Sequence, residues 1–444
     1  MRVISLKSGF LAATAATLVA LAPVSAQEPI APAAPAPPAT AFPVPADVDA
    51  AYATYRIQPI WTRHGLDETA VAQLISILQR SPFDGLEDGP ALAAQVQAAA
   101  AQARGNPAAL PSAEPIFSTA WVRYVRAIKR PTPGMIYAYP VLKPHGTRAE
   151  EILLTAAAAP SLQRYLASTA AVNPIYSQLR DTAWAETQAS GNLAPDPRLL
   201  ANLDRVRSLP ASGRYLLVDS GSSTLTLYDN GQPVDSMRVI TGTRELPTPL
   251  IASMMYYITY NPYWHAPDHL VRKTIAPTVL RQGMAYLKSH GYHVIDEWSP
   301  TANTIDPTSI DWKAAAAGTL HLMIRQDPGP LNSMGNLKFP FPNPENIYLH
   351  DTPSRALFAK DERNLSNGCV RVEDAKRLGR WLLGEDPVAP GTDAETNVKL
   401  PKGTPIYLTY ITAQVVDGKV TYLPDLYGWD SAPPTFASAA RDGD

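Results

Sequence analysis

Cysteine is nearly absent from this chain: Cys369 is the only one in 444 residues. One thiol excludes any internal disulfide. Neither charge sign predominates, with 38 Lys and Arg against 40 Asp and Glu, a formal balance of -2. Charge-driven partners such as nucleic acid or an anionic membrane surface are therefore not expected. Beyond the first 26 residues there is no long apolar run, so no membrane span is expected in the rest. The helical first half has neither an internal repeat nor a glycine-rich nucleotide loop. His265 and His269 stand four apart, but Pro267 lies between them and no carboxylate motif follows, so no metal and no cofactor is expected.

What is present begins with Arg2 and Lys7, an apolar run from Phe10 to Ala22, and the small residues Val24, Ser25 and Ala26. That pattern predicts a secretory signal peptide over 1–26 rather than an uncleaved anchor, because the apolar core is too short to cross a bilayer. Residues 27–46 are rich in proline and alanine and read as an extended tether. A free thiol in an exported protein risks oxidation. It is then either a nucleophile with a histidine partner or a buried, inert small hydrophobe.

Residues 47–210 carry helical periodicity, as in "DETAVAQLISILQRS", whose apolar residues Val71, Leu74, Ile75 and Leu78 form one stripe. From Gly213 the period falls to two. Short strands follow, with Asn230-Gly231 and Asp417-Gly418 as tight hairpin turns and a helical insertion near 268–290. The expected fold class is α+β: an all-helical scaffold over 47–210, a mostly β catalytic domain over 211–425, and a disordered tail over 426–444.

His350 ends the strand-like "NIYLH", and Cys369 follows in "SNGC", ahead of the amphipathic "VEDAKRLGRWLLG". This places the thiol in a tight turn before a helix. Gly368 permits close backbone approach, and the amides of Gly368 and Cys369 suit a developing oxyanion. A helix start and a nearby imidazole both favour a thiolate. Ser366 reads as a turn residue. The loop "QDPGPLNSMGNLKF" is long enough for a lid over a cleft.

"IYLHDTP" followed by "LSNGCVRV" resembles the histidine-to-cysteine motif of L,D-transpeptidases with a YkuD-like catalytic domain. "VITGTRELPTP", "YNPYWHAPDHL" and the N-terminal "YRIQPIWTRHGL" are similar to the larger YcbB-like group. The resemblance implies a periplasmic enzyme that cross-links peptidoglycan stem peptides through an acyl-enzyme on Cys369, activated by His350 and inhibited by carbapenem β-lactams. It implies substrate contacts for Trp264 and Arg371, although Arg371 equally suits a structural ion pair. Two departures stand out. Asn367 occupies the position before Gly-Cys where the family has histidine, so that side chain cannot titrate. It has an orienting role at most, and a donor other than the usual third-position residue becomes conceivable. The peptidoglycan-binding module usual in the larger group has no room between scaffold and catalytic domain. A thiol hydrolase of the L,D-carboxypeptidase type and a non-catalytic wall-binding protein remain open alternatives.

Overall fold

The computed structural model describes residues 42–191, 194–299 and 301–434. The signal peptide expected over 1–26, most of the tether expected over 27–46 and the end of the expected tail lie outside them.

Eight helices come first: α1 (Ala46–Tyr55), α2 (Glu68–Arg80), α3 (Gly89–Ala103), α4 (Leu110–Ile128), α5 (Ala149–Ala158), α6 (Leu162–Ala171), α7 (Pro174–Ser190) and α8 (Pro197–Val206). Their starts are locally encoded. Asp67, Asn173 and Asp196 each accept a hydrogen bond from the first-turn backbone, and proline follows at Pro174 and Pro197, where a missing N–H is harmless. The apolar stripe of α2 buries Val71, Leu74 and Leu78 against Trp61, Phe117 and Trp121. One buried carboxylate holds the loop before α2. Glu114 accepts from the Ile60 and Trp61 amides, the Thr62 hydroxyl and the Tyr52 hydroxyl.

The strands are β1 (Ile136–Tyr137), β2 (Tyr215–Asp219), β3 (Thr224–Asp229), β4 (Gln232–Gly242), β5 (Ile251–Tyr260), β6 (Trp264–Ala266), β7 (Tyr292–Ile295), β8 (Thr304–Ile305), β9 (Met323–Gln326), β10 (Leu337–Pro340), β11 (Tyr348–His350), β12 (Asn364–Ser366), β13 (Val370–Val372), β14 (Thr396–Thr409), β15 (Ala413–Val416) and β16 (Lys419–Tyr422). The main sheet runs β5-β10-β11-β13-β4-β3-β2-β14, and β14 pairs back onto β5, closing a ring of mixed direction. Closure leaves no free edge within the ring. Alternate residues such as Leu216, Val218, Leu225 and Leu227 fill its core with Leu378 and Leu382 of the helix Ala375–Leu383. The other face of β2 and β14 packs Tyr215, Leu217 and Tyr407 against Leu179, Leu199 and Leu203 of α7 and α8. Both faces of β2 are buried, which is why "YLLVD" is apolar without alternation. The insertion expected near 268–290 is larger. It forms its own sheet, β6-β9-β7-β8, with helices over Ala276–Gln282, Ala285–His290 and Trp312–Ala317.

Two expectations about boundaries need correction. Helical half and β half are not separate in the chain, because β1 lies between α4 and α5 yet pairs in parallel with β5, Ile136 opposite Ile251. Residues 426–434 are not a loose tail. Tyr427, Trp429 and Asp430 are buried, and Asp430 accepts from Arg205 at 2.5 Å and from Thr412 at 2.8 Å. A buried carboxylate needs such partners, and Arg205 is supplied by α8.

A second buried ion pair knits α7 to the scaffold. Asp84 is fully buried and accepts from Arg180 at 3.1 Å, Tyr176 at 2.9 Å and Tyr124 at 3.1 Å. Removing the carboxylate leaves Arg180, buried in the interior, with only the half-exposed Asp181 as acid partner at 2.8 Å. Asp84→Ala is expected to lower unfolding stability by about 3–5 kcal/mol in a urea titration, with Asp84→Asn losing less.

Candidate active site

The site grows from the order of three neighbouring strands. β11 lies between β10 and β13, antiparallel to the first and parallel to the second. The register sets Lys338 opposite His350 on one side and Arg371 opposite it on the other. Directly opposed residues share a face of the sheet, roughly 5 Å apart. His350 is thus flanked by two cations, and it is only 5% exposed. Burial, with the charges of Arg371 and Lys338, holds its pKa down to about 3. The ring is neutral at physiological pH. Its Nδ1 lies 2.6 Å from the Asp351 carbonyl, which can only accept. Nδ1 therefore carries the proton, and Nε2 keeps a lone pair.

Cys369 immediately precedes the parallel neighbour, β13. The pair Leu349 and Val370 is in register, so the thiol leads into β13 one strand away from the imidazole. Its side chain is half-buried, with Sγ 3.7 Å from the Asn346 carbonyl. Arg371 interacts electrostatically with both groups. Burial lowers its own pKa, while the cysteine raises it.

The turn carrying the thiol is tightly fixed. Ser366 Oγ accepts from the Gly368 amide at 3.2 Å and donates to the Cys369 carbonyl at 2.6 Å. Gly368 has φ of 114°, a conformation that side-chain-bearing residues avoid. Thr248 then braces the turn. Its hydroxyl donates to the Gly368 carbonyl at 2.8 Å and accepts from the Gly242 amide at 2.9 Å. Behind Gly242 stands Tyr427, donating to the Gly242 carbonyl at 2.7 Å. The C-terminal segment thereby reaches the turn through one hydrogen-bonded chain.

The loop over 326–336 is pinned rather than loose. Gln326 and Asn332 are buried, and Asn332 Nδ2 donates to the Pro262 carbonyl at 3.0 Å. At its end the Asn336 amide donates to the Asp351 carboxylate at 3.1 Å, and Arg355 donates to the same group at 2.7 Å. Gly335 sits so close that a Cβ would stand 2.5 Å from Asp351.

The structure brings together His350, Cys369, Arg371, Ser366 and Gly368. Asn367 lies half-buried in the same turn. Trp264 belongs instead to the insertion, paired with Gln326 and with its ring 6.2 Å from Tyr292. The Gly368 amide donates to Ser366 Oγ at 3.2 Å. One expectation fails. The thiol is not at a helix start, because β13 separates it from the helix beginning at Ala375. The charged group that interacts with the thiol is Arg371. Sequence reading missed Lys338, Asp351, Thr248 and Tyr427. Asp351 and Thr248 do lie in the quoted "LHDTP" and "ELPTP" segments, but Thr248 acts on Gly368, 120 residues away.

Residues 213–408 match the model of the L,D-transpeptidase catalytic domain, and residues 46–182 match that of the Scaffold domain. The chain carries a YkuD-type L,D-transpeptidase catalytic domain behind a scaffold. Among the described residues, the end of α7 and α8 lie between the two matches. A Haemophilus influenzae protein that carries the provisional name L,D-transpeptidase is 28% identical over 391 residues, which are 85% of this chain and 77% of that one. Solved structures of L,D-transpeptidases are also similar. One from Mycobacterium smegmatis has a TM-score of 0.23 and 12% identity over 45% of this chain and 59% of its own. One from Enterococcus faecium has a TM-score of 0.23 and 11% identity over 44% of this chain and 49% of its own.

Two outcomes follow from this geometry. Thr248→Val leaves the buried Gly242 amide and Gly368 carbonyl unpaired. It is expected to lower stability by about 1–3 kcal/mol in urea and to slow alkylation of Cys369, while Thr248→Ser retains both. The depressed His350 pKa also sets a pH dependence. Between its unfolded value near 6.5 and its folded value of about 3, the unfolded chain binds the extra proton, so stability falls as pH falls through that window. Thermal unfolding recorded from pH 7 to pH 4 is expected to show a steeper loss for the native protein than for His350→Gln.

Proposed function

We propose that this protein is an exported, periplasmic L,D-transpeptidase that joins peptidoglycan stem peptides through a cysteinyl acyl-enzyme. The reading rests above all on one observation: a buried, neutral imidazole with its Nδ1 tied to a carbonyl, one parallel strand from the only thiol.

In this mechanism His350 Nε2 takes the Cys369 proton, and the thiolate attacks the carbonyl of the third residue of a donor stem. The amide bond breaks, and the terminal D-residue leaves as an amine, taking the proton back from His350. The side-chain amine of a second stem then attacks the thioester, and the cross-link forms as the thiolate departs. His350 accepts the proton of that amine. Arg371 steadies the thiolate between these steps, which is the role its electrostatic pairing with Cys369 supports. Asn367 is uncharged beside the nucleophile. It removes a titrating neighbour and admits a first-position donor, giving 1-3 links beside 3-3 links. Carbapenems would acylate the same thiol.

Muropeptide analysis of purified sacculi incubated with the protein tests the reading. Cross-linked dimers with 3-3 or 1-3 links, absent with Cys369→Ala, are expected. His350→Gln is expected to lower the rate at least about 100-fold, the scale of a lost general base. Shortened monomers alone would instead mark a thiol hydrolase, and unchanged activity of Cys369→Ala would end the proposal.

A further inference from the structure

Away from the thiol, the segment over 136–147 has two features that the reaction does not use. It leaves β1, passes Tyr139 and the 74%-exposed Val141, and reaches Lys143 beside α4 and α5. There it borders an open cleft of about 620 Å³ whose lining includes Arg126, Lys129, Arg130, Lys143 and Arg148. The two acids of that lining are already engaged, Asp47 by Arg126 and Glu150 by Arg148. Among the described residues, neither Lys129 nor Lys143 has a carboxylate within ion-pair distance. Arg130 is paired with Asp204 and Arg148 also with Glu151, so the unbalanced charge at the cleft is that of Lys129 and Lys143, a local positive spot in a chain of formal charge -2.

At the other end of the segment is an aromatic surface. Tyr139 meets the ring of Tyr256 at 6.1 Å, and Tyr256 and Tyr257 are 43% and 38% exposed. Successive strand residues point to opposite faces, so one of the two should be buried. Both are open because β14 slips here. Lys399 pairs with Tyr257 and Thr404 with Met255, and the residues between form an irregularity opposite Tyr256. The bulge is fitted to the ring, since a Cβ on Gly403 would stand 2.8 Å from it. Exposed tyrosines held this way offer flat apolar faces edged with hydroxyls.

We infer that this surface holds a peptidoglycan strand, sugar rings lying on Tyr139 and Tyr256 and stem-peptide carboxylates entering the cleft at Lys129 and Lys143. A polymer of sugar rings bearing carboxylated peptides matches both features, whereas an anionic lipid headgroup would use only the cations. The assignment builds on the transpeptidase reading and supplies a contact to the wall polymer away from the thiol.

The test is co-sedimentation of the Cys369→Ala protein with purified sacculi. Two double variants are compared with it, Lys129→Glu with Lys143→Glu, and Tyr139→Ser with Tyr256→Ser, each checked for unchanged thermal unfolding. Each pair is expected to weaken sedimentation roughly tenfold, the sum of several modest surface contacts. High salt should weaken the tyrosine pair further but leave the lysine pair little changed. Undiminished sedimentation of both double variants overturns the inference, as does a loss seen only with anionic vesicles. Mass-detected β-lactam acylation of the parent with Cys369 intact separates the two readings. Acylation with undiminished sedimentation sinks the surface alone, and lysine-dependent sedimentation without acylation supports the surface and sinks the enzyme.

Discussion

The parallel pairing of β11 with β13 is the constraint on which the site depends. The two strands are only three residues each, too short to hold a register by themselves. They hold it because β10 and β4 flank them in a closed ring, so a slip would propagate around the barrel. A one-residue slip would also exchange faces, moving His350 off the side where Lys338 and Arg371 stand. The imidazole's neutrality is thus a property of the register as much as of burial. Two cations and an almost sealed environment oppose its protonation, and the Asp351 carbonyl fixes which nitrogen remains basic.

Around this pairing the rest of the molecule acts as bracing. Asp351 is clasped by Asn336 and Arg355, tying the end of the pinned loop to the residue whose carbonyl orients His350. Thr248 and Tyr427 brace the cysteine turn from below. Tyr427 is itself positioned by a segment locked through Asp430 to Arg205 on α8. Through these links the helical half bears on the turn by packing and buried charge. That is consistent with β1 being woven into the same sheet as the catalytic strands.

Much of the fold was legible in the residues. The change of period at Gly213, the hairpin turns at Asn230-Gly231 and Asp417-Gly418, and the capped helix starts are local signals, and each appears where local chemistry required it. That His350 and Cys369 come to neighbouring strands was legible from a strand-end histidine followed by a glycine-flanked cysteine. What escaped was non-local. "VRV" after the cysteine is too short to distinguish a strand from the lead-in to a helix, and its identity comes from β4 and β11. The direction of the Gly368 amide depends on Ser366 Oγ, a rotamer invisible in sequence. Tyr427 and Asp430 lie in a proline-flanked segment that looks like a tail until their partners on β4 and α8 are in place.

The central claim is that His350, Arg371 and Cys369 act as one electrostatic unit across a single parallel strand pair. A double-mutant cycle on the alkylation rate of Cys369 at neutral pH, using His350→Gln, Arg371→Gln and their combination, tests it most directly. The account predicts that each single change slows alkylation and that the double variant is slowed by less than the product of the two, because both act on the same sulfur. Strictly multiplicative effects, or an alkylation rate indifferent to Arg371, would contradict it.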